Sequence, residues 1–226
     1  MENRLFARSR SIGEDFLRRM ISSILFIPLL LMVFILPPDK FYLLCFAVYV
    51  VMLYEIFSMP VQGRLGTKIL ASIICLVGLR SFMYINQFYG ALGCVGLICI
   101  TSGCDMGGYF FGKIFKGPKL CPTISPNKTW AGFIGSILCA NCILMLLSDC
   151  FSVFLSLPLN RLLLLQVLIA ASILGDLFES MFKRNLGVKD MGNIFPGHGG
   201  MMDRFDSLMF SSIVFTVLDL WDKQLR

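Results

Sequence analysis

Histidine occurs once in the 226 residues, at His198, and charged side chains make up only 15% of the chain. One histidine leaves too few ligands for the usual His- and Cys-rich zinc sites. Nine cysteines are present, but Cys45, Cys75, Cys94, Cys99, Cys104, Cys139 and Cys142 lie inside apolar blocks. The CxxC spacing of Cys139 and Cys142 has no second pair and no nearby histidine. These cysteines therefore read as small packing residues, not as a disulfide or metal framework. The shortage of charge excludes an ordinary soluble domain, which carries about 25% charged and about 45–50% apolar residues. Here 57% are hydrophobic and the mean hydropathy is +0.78. There is no internal repeat and no low-complexity tract. What is present is a series of apolar blocks long enough to cross a bilayer, which takes about 20 residues.

The expected fold is an all-α integral membrane protein, a single polytopic domain over 1–226. Seven spans are read, at 20–36, 41–59, 68–85, 90–112, 130–148, 161–182 and 204–221. No A-x-A-like site follows the first apolar run, and Pro37-Pro38 comes directly after it, so that span is read as retained. Residues 1–19 read as a basic interfacial lead, with Leu5, Phe6, Ile12, Phe16 and Leu17 toward lipid. Basic residues orient the chain. Arg4, Arg8, Arg10, Arg18 and Arg19 precede the first span, and Arg64 and Lys68 follow the second. Lys113, Lys116, Lys119 and Lys128 follow the fourth; Lys183, Arg184, Lys189 and Arg204 follow the sixth. With the N-terminus in the cytoplasm, 15 of the 20 Lys and Arg fall on that side. The two chemically rich loops, 113–129 and 183–203, then share the cytoplasmic face.

Asp176, in "ILGDLFESMFKR", lies about seven residues inside the Lys183 border, roughly 10 Å at helical rise. A charge at that depth is costly and points to function. Glu179 and Ser180 share its helix face at i+3 and i+4. The loop after the sixth span reverses the chain and brings Asp203 and Asp206, again i and i+3, back toward Asp176. Clustered carboxylates repel unless a cation neutralises them, and a hard divalent ion shared with substrate phosphates is one solution. A buried ion pair between Asp176 and a neighbouring Lys or Arg is the alternative. "PGHGG" supplies Pro196 and Gly197, Gly199 and Gly200, a turn whose backbone N–H groups can form an anion nest. Lys189, His198 and Arg204 flank it, and the N-terminus of the last span favours phosphate. Asp105 is a further charge inside an apolar block, and "SPNKT" adds Ser125, Asn127, Lys128 and Thr129 as donors. Glu55 and Arg80 also fall in spans, with no role beyond packing or pairing.

"SMFKRNLGVKDMGNIFPGHGGMMDRFD", Ser180 to Asp206, resembles the signature of the phosphatidate cytidylyltransferases, or CDP-diacylglycerol synthases. "DMGGYFFGKIFKGPKLCPTISPNKTWAG" resembles the second polar segment of that family, and "FLRRMISSILFIPLLL" its basic approach to the first span. Two features depart from the pattern: Ala131 stands where the family often has Glu, and the chain is short. The resemblance implies that CTP and phosphatidate give CDP-diacylglycerol and pyrophosphate. It implies catalytic roles for Asp176, Asp203, Lys189, His198 and Arg204. It further implies a Mg²⁺ site at Asp176, Asp203 and Asp206, with a second cation left open. Substrate contacts would come from Ser125, Lys128, Lys183, Arg184, Gly199, Gly200 and Asp105.

The partners this implies are CTP, phosphatidate and the lipid bilayer, without nucleic acid; a homodimer is admitted but not specified by the sequence. The expected location is the inner cell membrane, with the active site facing the cytoplasm. Two other readings stand beside this one. One is a CTP-dependent transferase acting on another membrane phosphate. The other is a secondary transporter using Asp105 and Asp176 as ion sites; such proteins often show paired broken helices in two related halves, a symmetry this sequence lacks.

Overall fold

The computed structural model describes residues 32–33, 35–59, 65–146, 161–188, 190–192, 194 and 199–225. The interfacial lead, most of the expected first span, Lys189 and His198 lie outside the described residues. Helix α1 spans Pro38–Ser58. Proline suits its first turn, where the missing N–H would have no helical partner, and Asp39 there favours the helix dipole.

Helix α2, Leu65–Phe115, is broken at Gly90, where φ is 67° and ψ −169°. Glycine takes this backbone without a Cβ penalty. The break reverses the chain. Cys94 Sγ lies 3.8 Å from the Phe82 carbonyl, although twelve residues of straight helix would span about 18 Å. The expected spans 68–85 and 90–112 are thus two arms joined at Gly90.

The polar stretch that follows is not all helix or loop. Strands β1, Lys119–Cys121, and β2, Ser125–Thr129, form an antiparallel hairpin, with Lys119 opposite Thr129 and Cys121 opposite Ser125. The hairpin lies within the expected 113–129 loop of an otherwise helical fold. Pro118, Pro122 and Pro126 bar a helix here, and the short strands supply the backbone pairing instead. Thr129 then caps helix α3, Trp130–Leu146: its Oγ1 accepts the Gly132 N–H at 3.1 Å.

Helix α4 runs Arg161–Asn185. It ends with Gly187 at φ 71°, where Gly187 N–H donates to the Arg184 carbonyl (3.1 Å) and Val188 N–H to the Lys183 carbonyl (2.9 Å). This is the paired closure of a Schellman end. Helix α5, Met202–Leu225, returns beside it.

Pro38–Ser58, Leu65–Phe115 and Leu163–Asn185 are long and apolar enough to cross a membrane, and α3 is a shorter apolar helix. The chain is a predominantly helical membrane protein. Helix α2 packs most extensively on α3, then on α5, and α4 packs on α5. Small residues bring α2 and α3 close: Ser136 Oγ donates to the Cys104 carbonyl at 2.7 Å, and a Cβ on Gly135 would lie 2.5 Å from Phe111 Cγ. Lipid gives helices no hydrophobic reason to associate, so close backbone approach and polar contacts do the work. At the far end of α5, buried Asp219 accepts from Tyr84 (2.6 Å), from Tyr89 and from Lys223 (2.8 Å). That cluster ties the Gly90 turn to α5. The eight described cysteines are all free.

Candidate functional site

Helix α4 carries Asp176 and Glu179 one turn apart, and α5 carries Asp203 and Asp206 one turn apart. Where the helices meet, oxygens of Asp176, Glu179 and Asp206 lie within 4.8 Å of one another. Glu179 is only 2% exposed. Its Oε2 pairs with Lys183, while its buried Oε1 has no hydrogen-bond partner among the described residues. Lys183 Nζ also reaches Asp203 Oδ1, at 3.1 Å. From β2, Lys128 Nζ meets Asp176 Oδ2 at 2.7 Å. The ion pair and the acid cluster, alternatives on paper, therefore coexist at Asp176.

These groups face a cavity of about 450 Å³. Six carboxylates line it, from Asp105, Asp176, Glu179, Asp190, Asp203 and Asp206, against three cations, Lys128, Lys183 and Arg204. Among the described residues the formal excess is three negative charges. Tyr109, Asn127, Thr129 and Ser136 add hydroxyl and amide groups, and Gly108 and Gly132 form part of the wall.

Asp203 is held firmly. It accepts the Met191 N–H at 2.9 Å and the Gly200 N–H at 2.7 Å, besides its pair with Lys183. Asp206 Oδ1 accepts the Ser207 N–H at 2.6 Å. Of the residues expected at the site, Asp105, Lys128, Asp176, Lys183, Asp203, Arg204 and Asp206 line this one cavity. Ser125 opens β2 outside its lining. Arg184 is also outside; its Nε donates to the Ile124 carbonyl at 3.2 Å and fastens the hairpin to the end of α4. Gly199, at φ 83°, turns the chain into Gly200 and α5.

The N-terminus of α5 is not open to a phosphate in the way its sequence suggests. The N–H groups of Met201 and Met202 donate to the Glu55 carboxylate of α1, at 2.8 and 3.2 Å. Glu55 is a residue to which the sequence assigns no role. Its signal is faint: one acid in an apolar block, with no partner visible nearby. Glu179 is more legible, since its spacing puts it on the face of Asp176.

Among the described residues, three converging carboxylates, one buried oxygen without a partner and an excess of negative charge together suit a hard, oxygen-seeking cation. They suit a soft or nitrogen-seeking metal poorly. Closely spaced carboxylates beside lysine and arginine are also the equipment needed to receive phosphates together with a cation.

Residues 60–220 match the Cytidylyltransferase family. A phosphatidate cytidylyltransferase of Staphylococcus epidermidis is 50% identical over 117 residues, 50% of this chain and 44% of the relative. One from Mycobacterium leprae is 43% identical over 141 residues, 61% of this chain and 43% of that protein. One from Staphylococcus aureus is 46% identical over 117 residues. The matches span less than half the length of each of these relatives. The family match itself covers well over half of this chain, including both helices of the acid cluster and the hairpin that brings Lys128 to it, and so the chain belongs to the cytidylyltransferase family.

Proposed function

We propose that this protein is a phosphatidate cytidylyltransferase, forming CDP-diacylglycerol and pyrophosphate from CTP and phosphatidate. The observation that carries the reading is the meeting of Asp176, Glu179 and Asp206 beside Lys128 in a cavity with excess negative charge. A triphosphate would be repelled from such a cavity unless it arrives with cations. Family membership and the names of the relatives support the same chemistry.

In the proposed reaction a phosphatidate oxygen attacks the α-phosphorus of CTP. A new P–O bond forms, the bond between the α- and β-phosphates breaks, and pyrophosphate leaves. Such transfers depend on in-line placement and charge neutralisation, and no covalent enzyme intermediate is needed. Asp176, Glu179 and Asp206 would hold a divalent cation, Mg²⁺ by the all-oxygen donor set, with Asp203 as a fourth candidate that would first have to release Lys183. When bound, the ion supplies positive charge to the phosphates. Lys128 and Arg204 orient phosphate oxygens, and Lys183 balances Glu179 and Asp203. Lys189 and His198, from the signature-like stretch, are assigned to the triphosphate. Asp105, Ser125, Arg184 and Gly199 remain assigned to substrate contacts, whereas the Gly200 N–H is already engaged by Asp203.

The proposed setting is the inner membrane, crossed seven times, with the N-terminus and the cavity on the cytoplasmic side. Phosphatidate then keeps its acyl chains in the bilayer and presents its phosphate at the border where CTP arrives. Pyrophosphate release by the purified chain, with each nucleoside triphosphate in turn and with phosphatidate or a polyprenyl phosphate as acceptor, tests the reading. The expected result is release only with CTP, phosphatidate and Mg²⁺ together. Release with the polyprenyl phosphate alone would assign another acceptor, and no release under any combination would refute cytidylyl transfer.

A further inference from the structure

Glu55 is 3% exposed, and among the described residues no Lys or Arg pairs with it. Its carboxylate is instead spent on backbone. Both oxygens accept the Met201 N–H, at 2.9 and 2.8 Å, and Oε2 also accepts the Met202 N–H. The neighbouring loop is shaped to admit it: a Cβ on Gly200 would lie 2.5 Å from Glu55 Oε1.

A helix N-terminus is ordinarily capped by a Ser, Thr, Asp or Asn next to it in sequence. Such a local cap steadies the helix but fixes its position against nothing else. Glu55 comes from α1, 146 residues away in sequence. It therefore fixes the height of α5 relative to α1. Lipid-facing helices have no hydrophobic reason to keep one height, so polar ties set it: this one at the start of α5 and the Asp219 cluster at its far end. Asp203 lies one residue beyond Met202, and Asp206 one turn further. A shift at Met201 and Met202 would carry both with it, while Asp176 and Glu179 stay on α4. Asp203 adds a second tie by accepting the Met191 and Gly200 N–H groups, so two carboxylates hold the segment that leads into α5.

We propose that Glu55 is a positioning residue: by holding the first N–H groups of α5 to α1, it sets the register at which Asp206 meets Asp176 and Glu179. The inference rests on the proposed cation-assisted transfer for its purpose, but not for its test. Two full-length variants separate length from charge. Glu55→Asp keeps the charge and removes one carbon, so α5 must shift or lose its bonds. Glu55→Gln keeps the length and one acceptor oxygen. Mn²⁺ affinity is measured by electron paramagnetic resonance without nucleotide or lipid, alongside kcat and unfolding temperature.

Loss of a group that orients ligands costs about 10–100-fold in metal affinity or activity. Glu55→Asp is expected to fall in that range in both Mn²⁺ affinity and kcat, while KM for phosphatidate holds. Glu55→Gln is expected to recover most of the loss. Wild-type Mn²⁺ affinity in Glu55→Asp, a loss in Glu55→Gln as large as in Glu55→Asp, or a change confined to unfolding temperature would overturn the proposal. Because the Mn²⁺ measurement needs no turnover, a wild-type protein that releases no pyrophosphate would sink the transfer reading and leave this inference decided by Mn²⁺ alone.

Discussion

Replacing Asp176 with Asn tests the acid cluster in a way that loss of activity alone cannot. Oxygens of Asp176, Glu179 and Asp206 lie within 4.8 Å of one another. Two like charges at that distance repel by about 3 kcal/mol at an effective dielectric constant of about 20. The neutral amide would remove two of the three repelling pairs and also the charge partner of Lys128 at 2.7 Å. The Asp176 side chain is 35% exposed, so water screens its share of the repulsion to roughly 1–3 kcal/mol, and leaving the buried Lys128 Nζ without its charge partner offsets a comparable amount. The metal-free variant should therefore unfold at close to the wild-type temperature. Its turnover should fall by at least about 10²–10³-fold, the usual cost of removing one group that stabilises developing charge. Thermal unfolding in detergent with and without Mg²⁺, beside pyrophosphate release from CTP and phosphatidate, reads both effects. The Mg²⁺-induced rise in unfolding temperature should shrink or vanish. Near-normal turnover, or a variant that Mg²⁺ still stabilises as it does wild type, would refute the assignment of Asp176 to the cation.

Lys128→Ala removes the cation nearest Asp176 and should lower kcat/KM for CTP by about 10²-fold, as read by initial rates across CTP concentrations. Gly135→Val would drive a side chain into Phe111 between α2 and α3; overpacking of this kind costs about 1–3 kcal/mol, read as a lower unfolding temperature. Asp219→Asn takes the charged acceptor from Tyr84, Tyr89 and Lys223 and should cost about 1.5–3 kcal/mol. Asp219 is about 24 Å along α5 from Asp203 at helical rise, so turnover per folded molecule should be unchanged below the unfolding transition.

The helices were largely legible because apolar length and the scarcity of charge are local properties. The blocks at 41–59, 130–148 and 161–182 reappear as α1, α3 and α4 within a few residues. The break at Gly90 falls between two expected spans. The β1–β2 hairpin was not legible, because its strands are three and five residues long. Such runs are too short for an alternating pattern, and prolines interrupt them. Asp176 stood out as a charge inside an apolar border, and Asp203 and Asp206 as charges one helical turn apart at another; the cavity gathers all three.

What local pattern does not carry is which polar group meets which. In water, hydrophobic faces pair elements and polar contacts refine the match. In a bilayer the apolar faces are already satisfied by lipid, and polar contacts choose the arrangement. Those choices join residues far apart in sequence: Lys128 with Asp176, Arg184 with Ile124, and Glu55 with Met201. Together they tie the β-hairpin to α4 and α1 to α5. A residue that looks idle in the sequence can thus fix how the conspicuous ones meet. Glu55, a lone acid in an apolar helix, is the clearest instance: its depth signals a cost, and only the position of Met201 and Met202 reveals what offsets it.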